Sequence, residues 1–429
     1  MRQMKDSGIE WIGEIPEEWK VCRIKNIYHE RTELSNNGSE RLLSVSEYYG
    51  VAPTDTKVES SYVSRAESLI GYKKCSYGDL VSNIMLAWKG SLGTTNYDGI
   101  VSPAYCVYKP SCNIWPKFYH YLFRTHLYRS IFRLYSKGII DSRLRLYSPY
   151  FYDIKTFAPT ILEQQRIATF LDKKCGEVDS MIVLQEVMIS ELQAYKQSVI
   201  TEAVTHGLNP NVKMKNSGIE WIGDIPEQWD VTMFKRVCTY IKDGTHFSPE
   251  LVEDGYPYIT AGDVRGKGLN YEKAKKIGLN DYLTLLKMGC QPCINDVLLV
   301  KDGATTGRVG LMTDDKASIL LSSVAMLKPN HKLNSLYLMY QLMGTSIQNQ
   351  IKLAMAGAAM PRITLEKIDK LYCVLPKSQE QQSIANYLDT KCSDIDRLIS
   401  LKQEKIESLK AYKQSIIYEY VTGKLSVKF

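Results

Sequence analysis

The 429-residue sequence contains no apolar run approaching the ~18 residues that a membrane-spanning helix needs. Its opening, MRQMKDSGIEWIGEIP, lacks the apolar centre of a signal peptide, so a cytoplasmic location is expected. There is no cysteine framework. The ten cysteines are scattered, which fits reduced thiols, and the one CxxC (Cys290 and Cys293) has no second ligand pair for zinc. No metal site is expected.

Catalytic machinery is also missing. There is no Gly-x-x-x-x-Gly-Lys-Ser/Thr loop for ATP and no Asp/Asn-Pro-Pro-Tyr/Phe motif of the kind that serves methyl transfer to an amino group. The nearest approach, Ser148-Pro149-Tyr150-Phe151, lacks the acid or amide and one proline. Asp243-Gly244-Thr245-His246 and Lys301 to Gly307 resemble phosphate loops at a glance, yet neither sits at a clear strand-to-helix turn. His246 beside Asp243 reads as a turn residue before a catalytic base. The chain is assigned no catalytic residue and no cofactor.

What remains is an ordinary globular composition, 44% apolar and 24% charged, with a mildly basic net charge of +7. Its length allows two or three domains. The organising feature is a duplication. Met4 to Val21 and Met214 to Val231 match at 14 of 18 positions, and Glu163 to Thr205 matches Glu380 to Thr422 at 23 of 43. The second offset persists between these blocks, where Asp79, Gly90, Gly93, Arg145 and Pro159 fall on Asp296, Gly307, Gly310, Arg362 and Pro376. The change of offset from 210 to 217 places a seven-residue insertion in the second copy, opposite the Tyr28–Gly78 segment.

The second shared block predicts long helices. Thr160 with Glu163, and Ser378 with Gln381, have capping-box spacing after a proline. Downstream, Val178, Ile182, Gln185, Ile189, Leu192, Lys196, Val199 and Ala203 recur in alternating steps of four and three, as do Ile395, Ile399, Lys402, Ile406, Leu409, Lys413, Ile416 and Tyr420. The two seams bury each other most economically as an antiparallel coiled coil related by a pseudo-twofold axis. The alternative, each helix packing only on its own domain, is disfavoured because Leu184 and Leu401 widen the apolar stripe. A seam of this reach spans roughly 45–50 Å. The tryptophans at 11, 19, 221 and 229 read as packing anchors.

Nucleic-acid contact is read from basic residues in polar segments. Lys117 to Arg145 carries seven Lys or Arg against one acid, Asp141, interleaved with tyrosines. Arg124, Arg129, Arg143 and Arg145 are the candidates there, with Lys89 upstream; the plainer reading is one amphipathic helix, Phe118 to Tyr135, with a solvated basic face. In the second copy, Lys242, Thr245, His246, Arg265, Lys267, Lys301 and Arg308 occupy glycine-rich loops, which carry recognition more often than framework strands do. Gly303 and Gly307 serve turns equally well.

SGIEWIGEIPEEW, the duplicated Pro-x-x-x-Glu-Gln-Gln-x-Ile helix start with Leu171-Asp172 and Leu388-Asp389, and Lys242 to Pro249 with its Asp-Gly-Thr-His stretch together resemble the specificity subunit of a type I restriction-modification system. The first variable region lacks Asp-Gly-Thr-His and carries Arg41 to Gly50 instead. The two readers therefore differ, and an asymmetric target is expected. The expected fold is mixed α/β: two β-rich target-recognition domains joined by two long antiparallel helices. The divisions are 1–157 (with shared segment 4–27), a central helix at 158–208, 209–375 (with 214–237), and a distal helix at 376–429. The resemblance implies a non-catalytic prokaryotic subunit that binds double-stranded DNA. It implies partnership with two methylation subunits and with restriction subunits. S-adenosylmethionine, ATP and magnesium would be carried by those partners. Two other readings stand beside it: a free-standing bivalent DNA-binding protein, and a self-contained modification enzyme, against which the missing motifs speak.

Overall fold

The computed structural model describes residues 2–56, 68–355 and 361–427. The chain divides into two compact units, Met1–Gln185 with Glu404–Phe429, and Glu186–Gln403. This division runs through both long helices, so each unit holds one β-rich body and part of each helix.

In the first unit, a hairpin of Met4–Asp6 and Glu14–Pro16 leads into strand Lys20–Arg23, which pairs antiparallel with Lys155–Ala158. Everything between these two strands is an insert that enters and leaves at neighbouring residues. Its centre is an antiparallel sheet of β1 (Tyr28–Glu30), β2 (Leu80–Asn83), β3 (Leu92–Thr94) and β4 (Tyr105–Pro110), in the order β1-β4-β2-β3. The second unit repeats the scheme. Its hairpin is Met214–Asn216 with Asp224–Pro226, and its closing ribbon is Asp230–Met233 with Tyr372–Leu375. Its sheet consists of β5 (Cys238–Asp243), β6 (Val297–Val300), β7 (Val309–Leu311) and β8 (Val324–Pro329), in the order β5-β8-β6-β7. β2 and β6 are buried along their whole length; the all-apolar Val297–Val300 run of β6 reflects cover on both faces, whereas β2 also buries the polar Ser82 and Asn83.

The duplication extends to single bonds. Asp79 and Asp296 are buried ahead of β2 and β6, and each accepts an N–H three residues upstream, from Ser76 and Cys293, at 2.8 Å. The residue before each is left-handed: Gly78 at φ 90° and Asn295 at φ 69°, Asn being the non-glycine type that tolerates this region. The buried carboxylates find different partners. Arg31 Nε donates to Asp79 at 2.7 Å, whereas the Tyr240 hydroxyl donates to Asp296 at 2.8 Å.

The bodies differ between their first two sheet strands, where the insertion falls. The first unit adds a hairpin, Leu43–Ser46 with Gly50–Pro53. The second adds there the strands Leu251–Val252, Tyr256–Ile259 and Lys275–Ile277 and a helix, Leu279–Lys287; with Ile319–Leu320, from between β7 and β8, the three strands form a further four-stranded sheet.

The long helices run Ile161–His206 and Ser378–Val421, 46 and 44 residues. They exceed the span of the heptad seam because each begins well upstream of it. Thr160 caps as expected, its Oγ1 accepting from Glu163 N–H at 3.3 Å. Glu163 does not complete a capping box: its carboxylate accepts from buried Trp19 Nε1 at 2.9 Å, and Glu380 does the same for Trp229 at 3.0 Å. Gln381 is likewise not a capping partner. Its side-chain oxygen accepts from Asn334 N–H at 2.8 Å and its amide donates to Pro376 O at 2.9 Å, much as Gln164 serves Trp115 and Pro159.

Within the first unit the helices pair antiparallel: Phe170 meets Tyr420 with ring centroids 4.5 Å apart, and Lys413 Nζ binds Asp179 at 2.6 Å. Within the second unit, Met188 meets Lys402 and Lys196 Nζ binds Asp396 at 2.6 Å, again antiparallel. Val178, Val199, Ile395, Ile406, Leu409 and Ile416 are buried, and Ile182, Ile189, Leu192 and Ile399 are half-buried. Leu184 and Leu401 do not widen the stripe; both are about half exposed, at 51% and 49%. No helix among the described residues is long and apolar enough to cross a membrane.

Candidate nucleic-acid interface

Both units place polar side chains on the turn that joins the second and third sheet strands. In the first unit this turn, Ile84 to Gly90, is closed by Lys89 N–H to Leu86 O at 2.9 Å, and in the second by Thr306 N–H to Gly303 O at 3.0 Å. Gly90 and Gly307 are both left-handed, so glycine is required at each. A second segment lies alongside. Leu146 N–H donates to Ile84 O and Ile363 N–H donates to Lys301 O, both at 2.9 Å. The backbone frame is therefore one frame used twice.

The side chains on it are unalike. In the first unit the segment expected as one helix breaks into Pro116–Phe123 and His126–Tyr135, with Thr125 accepting from Tyr128 N–H. Arg124 sits at the break and turns inward. Its guanidinium donates to the carbonyls of Ser46, Glu47, Gly90 and Leu92 at 2.8–3.3 Å. Burial, with the Arg129 charge, pushes it down to about 10. Arg124 is thus a residue that holds the turn from below rather than one that meets a ligand.

Outside the turn, Lys89 and Arg129 are exposed, as is Arg133. The cations of Lys89 and Arg133 lie 5.2 and 5.0 Å from the Trp88 ring centroid. Arg143 is exposed near the tip of a narrow loop whose base is Lys137 paired with Arg145 at 2.9 Å. Half-buried Arg145 donates to Ser142 O and Leu144 O at 3.2 and 2.8 Å.

In the second unit the Asp243–His246 segment leaves β5. Thr245 is buried and its Oγ1 accepts from Phe247 N–H at 2.9 Å, a turn bond that leaves it no outward role. His246 is exposed and bonds Asp243 at 3.1 Å. Lys242 is half-buried, its Nζ 4.4 Å from the Tyr240 ring centroid. Lys301 is not a surface cation: it is 2% exposed and lies between Asp302 and Asp243. Exposed Lys267 pairs with Asp389. Arg265 and Arg308 are also exposed, and each caps backbone carbonyls, Arg265 at Gly262 and Val264 and Arg308 at Ala261. The Lys301–Gly307 turn joins two antiparallel strands, unlike a nucleotide-binding phosphate loop, which opens a helix.

Arg362 was not singled out from the sequence. It is 58% exposed and lies 3.1 Å from Asp302 Oδ1, close but without hydrogen-bond alignment. Its signal was present: it falls on Arg145 at the 217-residue offset.

Residues 226–411 match the family model described as the type I restriction modification DNA specificity domain. Over nearly its whole length the chain is similar to type I restriction enzyme specificity subunits. It is 24% identical to the type I restriction enzyme MjaVIII specificity subunit of Methanocaldococcus jannaschii, covering 96% of this chain and 94% of that one. It is 23% identical to the putative MjaX specificity subunit of the same organism, over 97% and 96% of the two chains. Two solved structures share the fold. One is a chain from a type I R-M system studied for its complex assembly and conformational transition, with TM-score 0.69 and 16% identity over 96% and 99% of the chains. The other is the HsdS subunit of Thermoanaerobacter tengcongensis, with TM-score 0.52 and 17% identity over 96% and 98%. The shared fold combines, in this chain, two long helices with two β-rich bodies.

Proposed function

We propose that the chain supplies the DNA-sequence specificity of a type I restriction-modification complex and performs no chemistry of its own. The observation that carries this is the doubled turn, in which one hydrogen-bonded frame carries exposed Lys89 in the first unit and exposed Arg308 and Arg362 in the second, while Arg129, Arg143, His246 and Arg265 are exposed on other segments of the same units. A shared frame with unlike exposed groups suits one reader used twice on different bases. Cations there neutralise phosphates while Arg forks meet guanine edges in the major groove.

Each unit would read one half of a bipartite, asymmetric target, with the paired helices setting the gap. From the seam's length the half-site centres lie about 10–14 base pairs apart, leaving roughly 5–9 uncontacted pairs. Two methylation subunits would dock on the helices, carry S-adenosylmethionine and flip an adenine out of each half-site. Restriction subunits with ATP and magnesium would add translocation and cleavage.

Binding selection on the full chain from a randomised duplex pool tests this. Two unlike half-sites at a fixed gap are expected; one continuous or palindromic site would overturn it. Exchanging Tyr28–Phe157 for the equivalent segment of another subunit should change one half-site only. Deleting a turn from each helix should alter the gap and leave the bases alone. Copurification with a methylation subunit separates this reading from a free-standing bivalent DNA-binding protein. Incubation of the pure chain with labelled S-adenosylmethionine and DNA tests for a self-contained enzyme.

A further inference from the structure

Lys301 opens the turn after β6 with its ammonium removed from solvent. Its Nζ lies 2.8 Å from Asp302 Oδ2 and 3.4 Å from Asp243 Oδ2. Each carboxylate reaches onward: Asp243 to His246 Nε2 at 3.1 Å, and Asp302 to Arg362 Nε at 3.1 Å. The chain of charges runs from one exposed side chain to another, His246 at 67% and Arg362 at 58%, through a centre that is 2% exposed. It ties together three stretches far apart in sequence.

A buried ammonium between two carboxylates is held only as a set, because removing one member leaves uncompensated charge. The backbone here does not need that set. Lys301 N–H already donates to Ser323 O at 2.8 Å, Gly303 N–H to Pro361 O at 2.9 Å, and Gly307 N–H to Val300 O at 2.8 Å. The first unit makes the control within the same molecule. Ile84 and Met85 occupy the positions of Lys301 and Asp302, and the bond from Leu146 N–H to Ile84 O survives without any charge. The frame folds with apolar residues there, so the charges serve what they orient.

We infer that Lys301 is a positioning residue that holds His246, through its hydrogen bond to Asp243, and Arg362, through its ionic contact with Asp302, where they can read base edges. It touches no DNA itself. Arg362 is the arm suited to a guanine edge, and His246 offers one ring nitrogen beyond its bond to Asp243. The inference rests on the reading of the second unit as a DNA reader.

The test is selection with the full chain from randomised duplexes, scored separately at each half-site, beside thermal unfolding. Lys301→Met should lower base preference about tenfold at one or two positions of a single half-site, the effect of misplacing one good base contact. The other half-site and the gap should stand, and Lys301→Arg should restore most of the preference. His246→Ala and Arg362→Ala should each relax one of those positions, and Lys301→Met added to both should cost no further discrimination. A uniform loss of affinity with preferences intact would overturn the inference, as would preferences unchanged in every variant. Should Lys301→Met fail to fold, Asp243→Asn and Asp302→Asn decide: each must relax only its own arm's position. A wild-type chain that selects no bipartite site fails at the specificity reading itself, a distinct result.

Discussion

The two units solve one problem with different materials. Both need the turn after their second sheet strand held rigid, and both use the same backbone bonds to close it. In the first, the support is a single cation turned inward, Arg124 beneath four carbonyls, with aromatic packing from Tyr119, Phe123, Tyr128 and Phe132 behind it. In the second, Gln348 takes the place of Arg124, its Nε2 donating to Gly307 O at 2.8 Å and Leu342 O at 2.6 Å. The charge then moves to the upper side of the turn, where Lys301 joins two carboxylates. A fold kept by backbone bonds leaves its side chains free to diverge; what stays common is the part that every reader must share.

The largest effects should fall on that common part. Trp19→Ala and Trp229→Ala each remove a fully buried indole together with its bond to the helix-start glutamate. Each should destabilise its own unit by about 3–5 kcal/mol in denaturant unfolding. A cost confined to one of them would break the equivalence.

Next comes the divergence beneath the turn. Arg124→Met strips the donor from four carbonyls and should cost the first unit about 2–4 kcal/mol, whereas Gln348→Met should cost the second about 1–2. Protein melting with unit-resolved hydrogen exchange reads both, and equal costs would remove the distinction.

Acid should separate the units too. Thr94 N–H donates to His120 Nδ1 at 3.2 Å, and burial pushes this imidazole from 6.5 down to about 3. A depressed folded value means stability that is present above about pH 6.5 and lost as pH falls toward 3. Tyr337 stands at the matching position in the second unit. Hydrogen exchange between pH 7 and 5 should therefore loosen the first unit around Thr94, and His120→Gln should flatten the response; equal loosening of both units would refute the assignment. The smallest effects belong to the twin helix pairs. Lys196→Ala and Lys413→Ala, each cutting a partly exposed bond to an aspartate, should lower stability by less than about 1 kcal/mol apiece, and equally.

Much of this frame was legible in the sequence because it is written twice. Asp79 with Asp296, Trp19 with Trp229 and the heptad seams emerge from an alignment of the chain with itself, and all are buried or half-buried. The recognition surface was less legible because burial there depends on neighbours distant in sequence. Arg124, Thr245 and Lys301 look like surface groups in a basic or polar run, yet each is turned inward by carbonyls, a local turn or carboxylates. Nothing periodic marks the break at Thr125 either. Its hydroxyl ends one helix and starts the next, a local competition that a hydrophobic pattern averages away.

The division of the chain also sets an order of events in time. The first unit includes Glu404–Phe429, so it is not complete until residues 404–429 have been made. Gly423, left-handed at φ 76°, packs so tightly under Pro16 and Trp19 that a side chain there would collide with the proline ring. At about 5–20 residues per second, the ribosome works for roughly 10–45 s on residues 186–403 before that closing segment begins to emerge. Throughout that interval Val178 and its neighbours wait on a nascent chain with their partner helix unmade. The unit whose synthesis precedes residues 186–403 is thus finished only after them.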